Sequence, residues 1–267
     1  ELNERFNGSL TEAISIFTGK HPKKFLNQLV SSQLDMDRLD YLKRDSFYTG
    51  VAEGNTNAER LITMLNVVDG NLVIEEKGIY SVEKFLMARR FMYWQVYLHK
   101  TGVVAEQLLI SILKRARFLI KSGTTLNCSK ALLYFLSQNI DKSNFDRLTL
   151  SKFAKLDDVD IMAALKEWQY ADDFVLSTLC EMILNRKLLQ IKLKKEQINE
   201  TKFNSKFNKI KKLYKLTDEE TSYFVFTGEL KNKAYDRENQ NINILRKNGK
   251  ITDVAKLSDH LNLNALS

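Results

Sequence analysis

Between Gln33 and Val51 the chain reads QLDMDRLDYLKRDSFYTGV. Asp35, Asp37, Asp40 and Asp45 alternate there with Arg38, Arg44 and Tyr41, while Met36, Leu39 and Leu42 supply an apolar side. At about 100° per residue, Asp37, Arg38, Tyr41, Arg44 and Asp45 fall within an arc of roughly 120° on a helix, opposite Met36 and Leu39. Such a face could hold a cation through Asp37, clamp phosphate through Arg38 and stack a ring on Tyr41. The same pattern also fits a solvated face laced with i,i+4 pairs such as Asp40 with Arg44. Spacing alone leaves both readings open.

A second stripe lies in SVEKFLMARRFMYWQVYLHK, which reads as a long helix opening at Ser81, with Glu83 near its positive end. Arg89, Tyr93 and Tyr97 recur in it at i, i+4 and i+8, as an aromatic core stripe edged by an arginine or as a wall of a binding site.

The elements that would position these two stripes follow from turn chemistry. Residues 1–8 end as a helix stopped at Gly8, and Ser9 with Glu12 forms a capping box for the next helix, which Gly19 ends. Pro22 fits the first turn of a helix burying Phe25, Leu26, Leu29 and Val30. Gly50 and Gly54 mark the exit from the central helix. A short helical pattern from Ala58 precedes VVDGNLVIEEKG, where Asp69-Gly70 between β-branched runs predicts a hairpin. Further helices are expected over Val103–Ile120, after Lys130, and through LDDVDIMAALKEWQY and DDFVLSTLCEMILNRKLLQ, with Asp157, Asp158 and Asp160 serving a helix start. The lysine-rich run from Lys192 to Lys215, with Phe203, Phe207 and Ile210 interleaved, reads as an amphipathic helix with a solvated face, or as a nucleic-acid groove if its aromatics are exposed. YFVFTGELKNKAY and INILRKNGKITDV read as strands, the latter folded at Asn248-Gly249 in a type I′ turn.

Composition narrows the class. A chain of 267 residues with one proline and ten glycines is expected to be mainly helical, since all-β folds need more turn residues. A net charge of +8 favours anionic partners, nucleotides and nucleic acid among them. Two cysteines in apolar patterns, Cys128 and Cys180, predict buried free thiols and a cytoplasmic setting. No run of 18 apolar residues is present, which gives no reason to expect a membrane partner.

The run L-D-x-D-R-L-D-Y-L-x-R-D-S-x-Y-T-G-V, from Leu34 to Val51, resembles the distal metal-aspartate helix of HD-domain phosphohydrolases, in the bacterial branch related to the deoxynucleoside triphosphate triphosphohydrolases. That resemblance implies an HD-like helical core over 1–125, a helical extension over 126–215 and a small strand-rich module over 216–267, whose exposed strand edges are expected to mediate homo-oligomer formation. In that family a His, a contiguous His-Asp pair and a late Asp hold a divalent metal (Mg, Mn, Fe, Ni or Zn), and Asp37 matches the late Asp. The three histidines here, His21, His99 and His260, precede Pro, Lys and Leu, so the chain has no His-Asp pair. A chain starting at Glu1 is then expected to be a fragment whose preceding segment carries the other ligands. By the same resemblance Arg38 and Arg89 hold phosphates of a nucleotide substrate, Tyr41 and Tyr97 bound the sugar, and Asp45 accepts from a sugar hydroxyl. Asp35 and Asp40 orient their neighbours. Tyr93 stands where a mammalian member carries His, and a phenol there can still donate a hydrogen bond in catalysis. The implied activity is release of triphosphate from (deoxy)nucleoside triphosphates. A nucleotide-binding or oligomerisation module without catalysis is the alternative on the same scaffold.

Overall fold

The computed structural model describes residues 2–194, 196–230 and 241–258 and is mainly helical, with one small sheet. Contacts divide the chain into two compact units, one from Glu1–His99 with Leu230–Ser267, the other from Lys100–Glu229.

The first unit opens with α1 (Leu2–Arg5), α2 (Thr11–Phe17) and α3 (Lys24–Val30). The capping box expected at Ser9 and Glu12 does not form: α2 begins at Thr11, and Asn3 instead receives the Leu10 N–H and donates to the Thr11 hydroxyl. Pro22 lies ahead of α3, because the Phe25 N–H is drawn to the Gly70 carbonyl of the hairpin turn at 3.0 Å. Helix α4 (Met36–Thr49) carries the first stripe. Its N-cap is Asp35, whose carboxylate takes the N–H groups of Arg38 at 2.7 Å and Ser32 at 2.9 Å, and Gly50 ends it at φ 72°. Leu39 and Leu42 point into the core, as the pattern requires.

After α5 (Ala58–Thr63), strands β1 (Leu65–Val68) and β2 (Asn71–Glu75) form the expected hairpin. Asp69 and Gly70 both have positive φ, 49° and 72°, which is what a type I′ turn demands. Helix α6 (Ile79–Met92) then carries Arg89. It starts two residues before Ser81 and does not continue as an α-helix to Lys100: the Leu98 N–H reaches back five residues to the Tyr93 carbonyl at 2.6 Å, so Tyr93–Tyr97 is a π-helical turn. Gly54 fits between α4 and the end of α6, where a Cβ would overlap both Ser46 and Met92.

The C-terminal strands β3 (Asn243–Leu245) and β4 (Ile251–Asp253), expected in a module of their own, complete the sheet begun by the hairpin, in the order β1-β2-β3-β4. β3 runs parallel to β2, with Ile74 opposite Ile244. Successive residues Val73 and Ile74 are both buried, so β2 is covered on both faces and suits a central position. The turn at Asn248-Gly249 is not type I′, because only Gly249 has positive φ. Its N–H closes on the Arg246 carbonyl at 2.9 Å, giving a type I turn followed by a left-handed glycine. Residues 223–230 form no strand, and the rest of YFVFTGELKNKAY lies outside the described residues. Leu39, Leu42, Phe85, Leu86 and Met92 share one core with Ile74, Ile244 and Val254.

The second unit contains α7 (Lys100–Lys121), α8 (Lys130–Ser137), α9 (Arg147–Phe153), α10 (Asp158–Trp168), α11 (Phe174–Leu184), α12 (Glu200–Tyr214) and α13 (Asp218–Ser222). Asp157 and Asp160 form the capping box of α10, so these acids serve the helix start as expected. Cys180 is a free, fully buried thiol that burial pushes up to about 12, whereas Cys128 is half-buried. Among its described residues the lysine run is helical in α12, where Phe203 and Phe207 stand 5.9 Å apart and half-buried.

Candidate functional site

The first turn of α4 fixes Arg38. With the Asp35 carboxylate capping the helix, the Arg38 side chain folds back so that Nε donates to the Ser32 carbonyl at 2.7 Å and lies 3.3 Å from Asp35 Oδ2. Its Nη1 is 3.5 Å from the Tyr41 hydroxyl, one turn further on. Arg38 is thereby braced at Nε while its terminal nitrogens point along the helix face that also bears Tyr41 and Asp45.

The second stripe comes to meet this face. Tyr97, on the π-helical turn, donates its hydroxyl to Asp45 Oδ2 at 2.7 Å and packs edge-on against Tyr41, ring centroids 6.1 Å apart. Burial pushes the Tyr97 phenol well above its ordinary range, and the Asp45 hydrogen bond and charge push it further, so it stays a neutral donor at any physiological pH. Tyr93 packs edge-on against Tyr97 at 5.3 Å, and Arg89 lies over the Tyr93 ring, its Cζ 5.7 Å from the centroid. Arg89 Nη1 then donates to Gln33 Oε1 at 2.9 Å, which returns the path to the segment just before α4. Asp35, Arg38, Tyr41, Tyr97, Tyr93, Arg89 and Gln33 thus form a path of side-chain contacts within one compact unit, its two ends joined by the backbone from Gln33 to Asp35.

Six of the seven residues singled out in the sequence come together here: Arg38, Tyr41, Asp45, Arg89, Tyr93 and Tyr97. Asp37 is exposed on the first turn of α4 beside Arg38 and makes no hydrogen bond or ion pair among the described residues. Asp40 and Arg44 turn away to pair with each other in solvent. Asp40 therefore orients nothing in the path, in contrast to Asp35. Gln33 was missed as a partner of Arg89, since the two are 56 positions apart and neither periodicity nor a motif links them.

Arg89 is unusual electrostatically. It is 6% exposed, its Nε is buried without a partner, and among the described residues no carboxylate pairs with it. The groups it touches are a neutral amide and an aromatic ring. Among the described residues no three His, Cys, Asp or Glu come together as metal ligands, so Asp37 alone does not constitute a metal centre.

The chain is similar to several known proteins. A family model described as "HD associated region" matches residues 56–127. A crystal structure of a phosphohydrolase from Bacteroides thetaiotaomicron VPI-5482 superposes with a TM-score of 0.92 at 49% identity, covering 100% of this chain and 66% of that one. The "Uncharacterized protein YwfO" of Bacillus subtilis (strain 168) is 30% identical over 254 residues, 92% of this chain and 56% of that protein. The "Deoxynucleoside triphosphate triphosphohydrolase SAMHD1 homolog" of Dictyostelium discoideum is 26% identical over 187 residues, 66% of this chain and 35% of that protein. The chain therefore spans between a third and two thirds of the length of these relatives. Together the matches support a place in the HD superfamily, among proteins related to phosphohydrolases. No helix among the described residues is long and apolar enough to cross a membrane.

Proposed function

We propose that these residues form the nucleotide-facing part of a metal-dependent phosphohydrolase that cleaves (deoxy)nucleoside triphosphates to nucleoside and triphosphate. The observation that carries this reading is Arg89. A buried guanidinium without a counter-charge costs several kcal/mol, and proteins keep such a group where an anion completes it. A triphosphate supplies that anion, in geometry that suits a planar fork of donors.

The other residues extend the reading along the path. Arg38, held at Nε by Ser32, offers its terminal nitrogens to the same phosphate chain. Tyr41 and Tyr97 form an aromatic wall for the sugar, and Asp45, with one oxygen engaged by Tyr97, keeps the other to accept a sugar hydroxyl. Tyr93, placed between Arg89 and Tyr97, is the proton or hydrogen-bond donor nearest the phosphate end. Asp37 is the one ligand we assign to the divalent metal, with the remaining ligands supplied from outside the described residues. The Dictyostelium relative's name supports triphosphate release as the reaction.

The test is product analysis on the full-length protein. Incubated with each deoxynucleoside triphosphate and a divalent metal, it should release inorganic triphosphate and nucleoside, and chelation should abolish the reaction. The 267-residue chain alone should show no turnover. Products of pyrophosphate or single-phosphate cleavage would overturn the assigned reaction.

A further inference from the structure

Gln33 is 7% exposed and sits two residues before the N-cap of α4, where the Ser32 N–H and Arg38 N–H both bind Asp35 and so fix the backbone on either side of it. From there its Oε1 accepts from Arg89 Nη1 at 2.9 Å. The chemistry of this contact is selective. An amide oxygen sets the direction of a guanidinium through one hydrogen bond and carries no formal charge. A carboxylate of the same length would reach the same nitrogen, pair with the fork and cancel its charge. The Tyr93 face, 5.7 Å from Arg89 Cζ, likewise holds the cation in place and leaves it charged.

We propose that Gln33 is a positioning residue that orients Arg89 without neutralising it, keeping a buried cation open for the phosphate chain of the substrate. This rests on the assignment of Arg89 as a phosphate-binding group. It predicts that the identity of residue 33 sets phosphate affinity through charge, and stability through hydrogen bonding, in opposite senses. Gln33→Glu keeps an acceptor and adds a counter-charge, so it should hold the fold and close the site. Gln33→Met keeps the length but loses the acceptor while leaving the guanidinium charged, so it should weaken the fold and spare more of the binding.

The experiment is calorimetric titration of inorganic tripolyphosphate into the 267-residue chain, with thermal midpoints measured on the same samples. Arg89→Gln should weaken binding at least about tenfold. Gln33→Glu should weaken it by a similar factor with a midpoint at or above wild type, and Gln33→Met should bind more tightly than Gln33→Glu while melting below it. A merely structural Gln33 would give binding and stability in the same order across the two variants, which overturns the proposal. So would wild-type affinity in Gln33→Glu, or a Gln33→Glu chain that fails to fold. Those results, with binding still lost in Arg89→Gln, leave the phosphate-binding role of Arg89 standing. Absence of binding by wild type, or wild-type affinity in Arg89→Gln, removes that role and the proposal together.

Discussion

Among the described residues each compact unit buries one arginine, and the two are treated in opposite ways. Arg115 on α7 is 5% exposed and Arg89 on α6 is 6% exposed, so desolvation bears on both alike. Arg115 meets Asp173 through Nε at 3.0 Å and Nη2 at 2.6 Å, Glu219 through Nη1 at 3.3 Å, and has Glu220 3.7 Å away. The rings of Phe118 and Tyr223 flank it, at 5.1 and 5.5 Å. Its carboxylates are the N-cap of α11 and the first turn of α13, so one guanidinium joins three helices. Arg89 has an amide and a ring. A cation whose counter-charges come from its own fold is a structural tie, whereas one left uncompensated at equal depth is prepared for a ligand.

The largest effect should come from Arg115→Met, which leaves the half-buried Asp173 carboxylate and two acidic neighbours without their cation. Loss of about 3–5 kcal/mol is expected, or a fall of roughly 6–20 °C in midpoint by calorimetry, with tripolyphosphate affinity unchanged. If affinity fell as far as stability, the separation of the two roles would fail.

Asp173→Asn should cost less, about 1.5–3 kcal/mol, because Asn still caps α11 while the charged hydrogen bonds to Arg115 go. This variant also carries a pH signature. Burial is the largest single influence on the Asp173 carboxyl and would raise it, but the Arg115 hydrogen bonds and charge together with the Leu176 and Val175 N–H groups outweigh it and hold the group below its usual value. Stability from a depressed carboxyl is fully present above its unfolded value, about 3.9, and is lost as pH falls through the folded one. The gap in urea-unfolding free energy between wild type and Asp173→Asn should therefore be constant near neutrality and shrink below about pH 4.

Arg89→Lys sharpens the comparison from the other side. Lysine keeps the charge but not the planar fork, so kcat/KM of the full-length protein for a nucleoside triphosphate should fall at least about tenfold, near 1.4 kcal/mol, while the midpoint moves by less than a few degrees. Unchanged kinetics would return Arg89 to the structural class of Arg115. The smallest effect belongs to the exposed pair on α4: Arg44→Ala should shift the midpoint by no more than about 2 °C and leave binding unaltered, since solvent already screens Asp40 from Arg44.

What the sequence determined by itself is what neighbouring residues decide between them. Asp157 and Asp160 cap α10 because each reaches N–H groups within three positions, Asp69-Gly70 turns the hairpin because both residues accept positive φ, and Leu39 and Leu42 fall on the buried face of α4 because helical periodicity places them there. Which side chains share a face was legible for the same reason: Arg38, Tyr41 and Asp45 lie on one side of a helix, and Arg89, Tyr93 and Tyr97 recur at helical spacing. What only the tertiary structure decided depends on groups far apart in the chain. Asn3 displaced the expected Ser9 capping box, β3 found β2 across nearly 170 residues, and the π-helical turn set where Tyr93 and Tyr97 meet α4. Above all, whether a buried arginine is neutralised or left charged is fixed by what stands opposite it, Gln33 for Arg89 and Asp173 for Arg115. At separations of 56 and 58 positions, no local pattern carries that information.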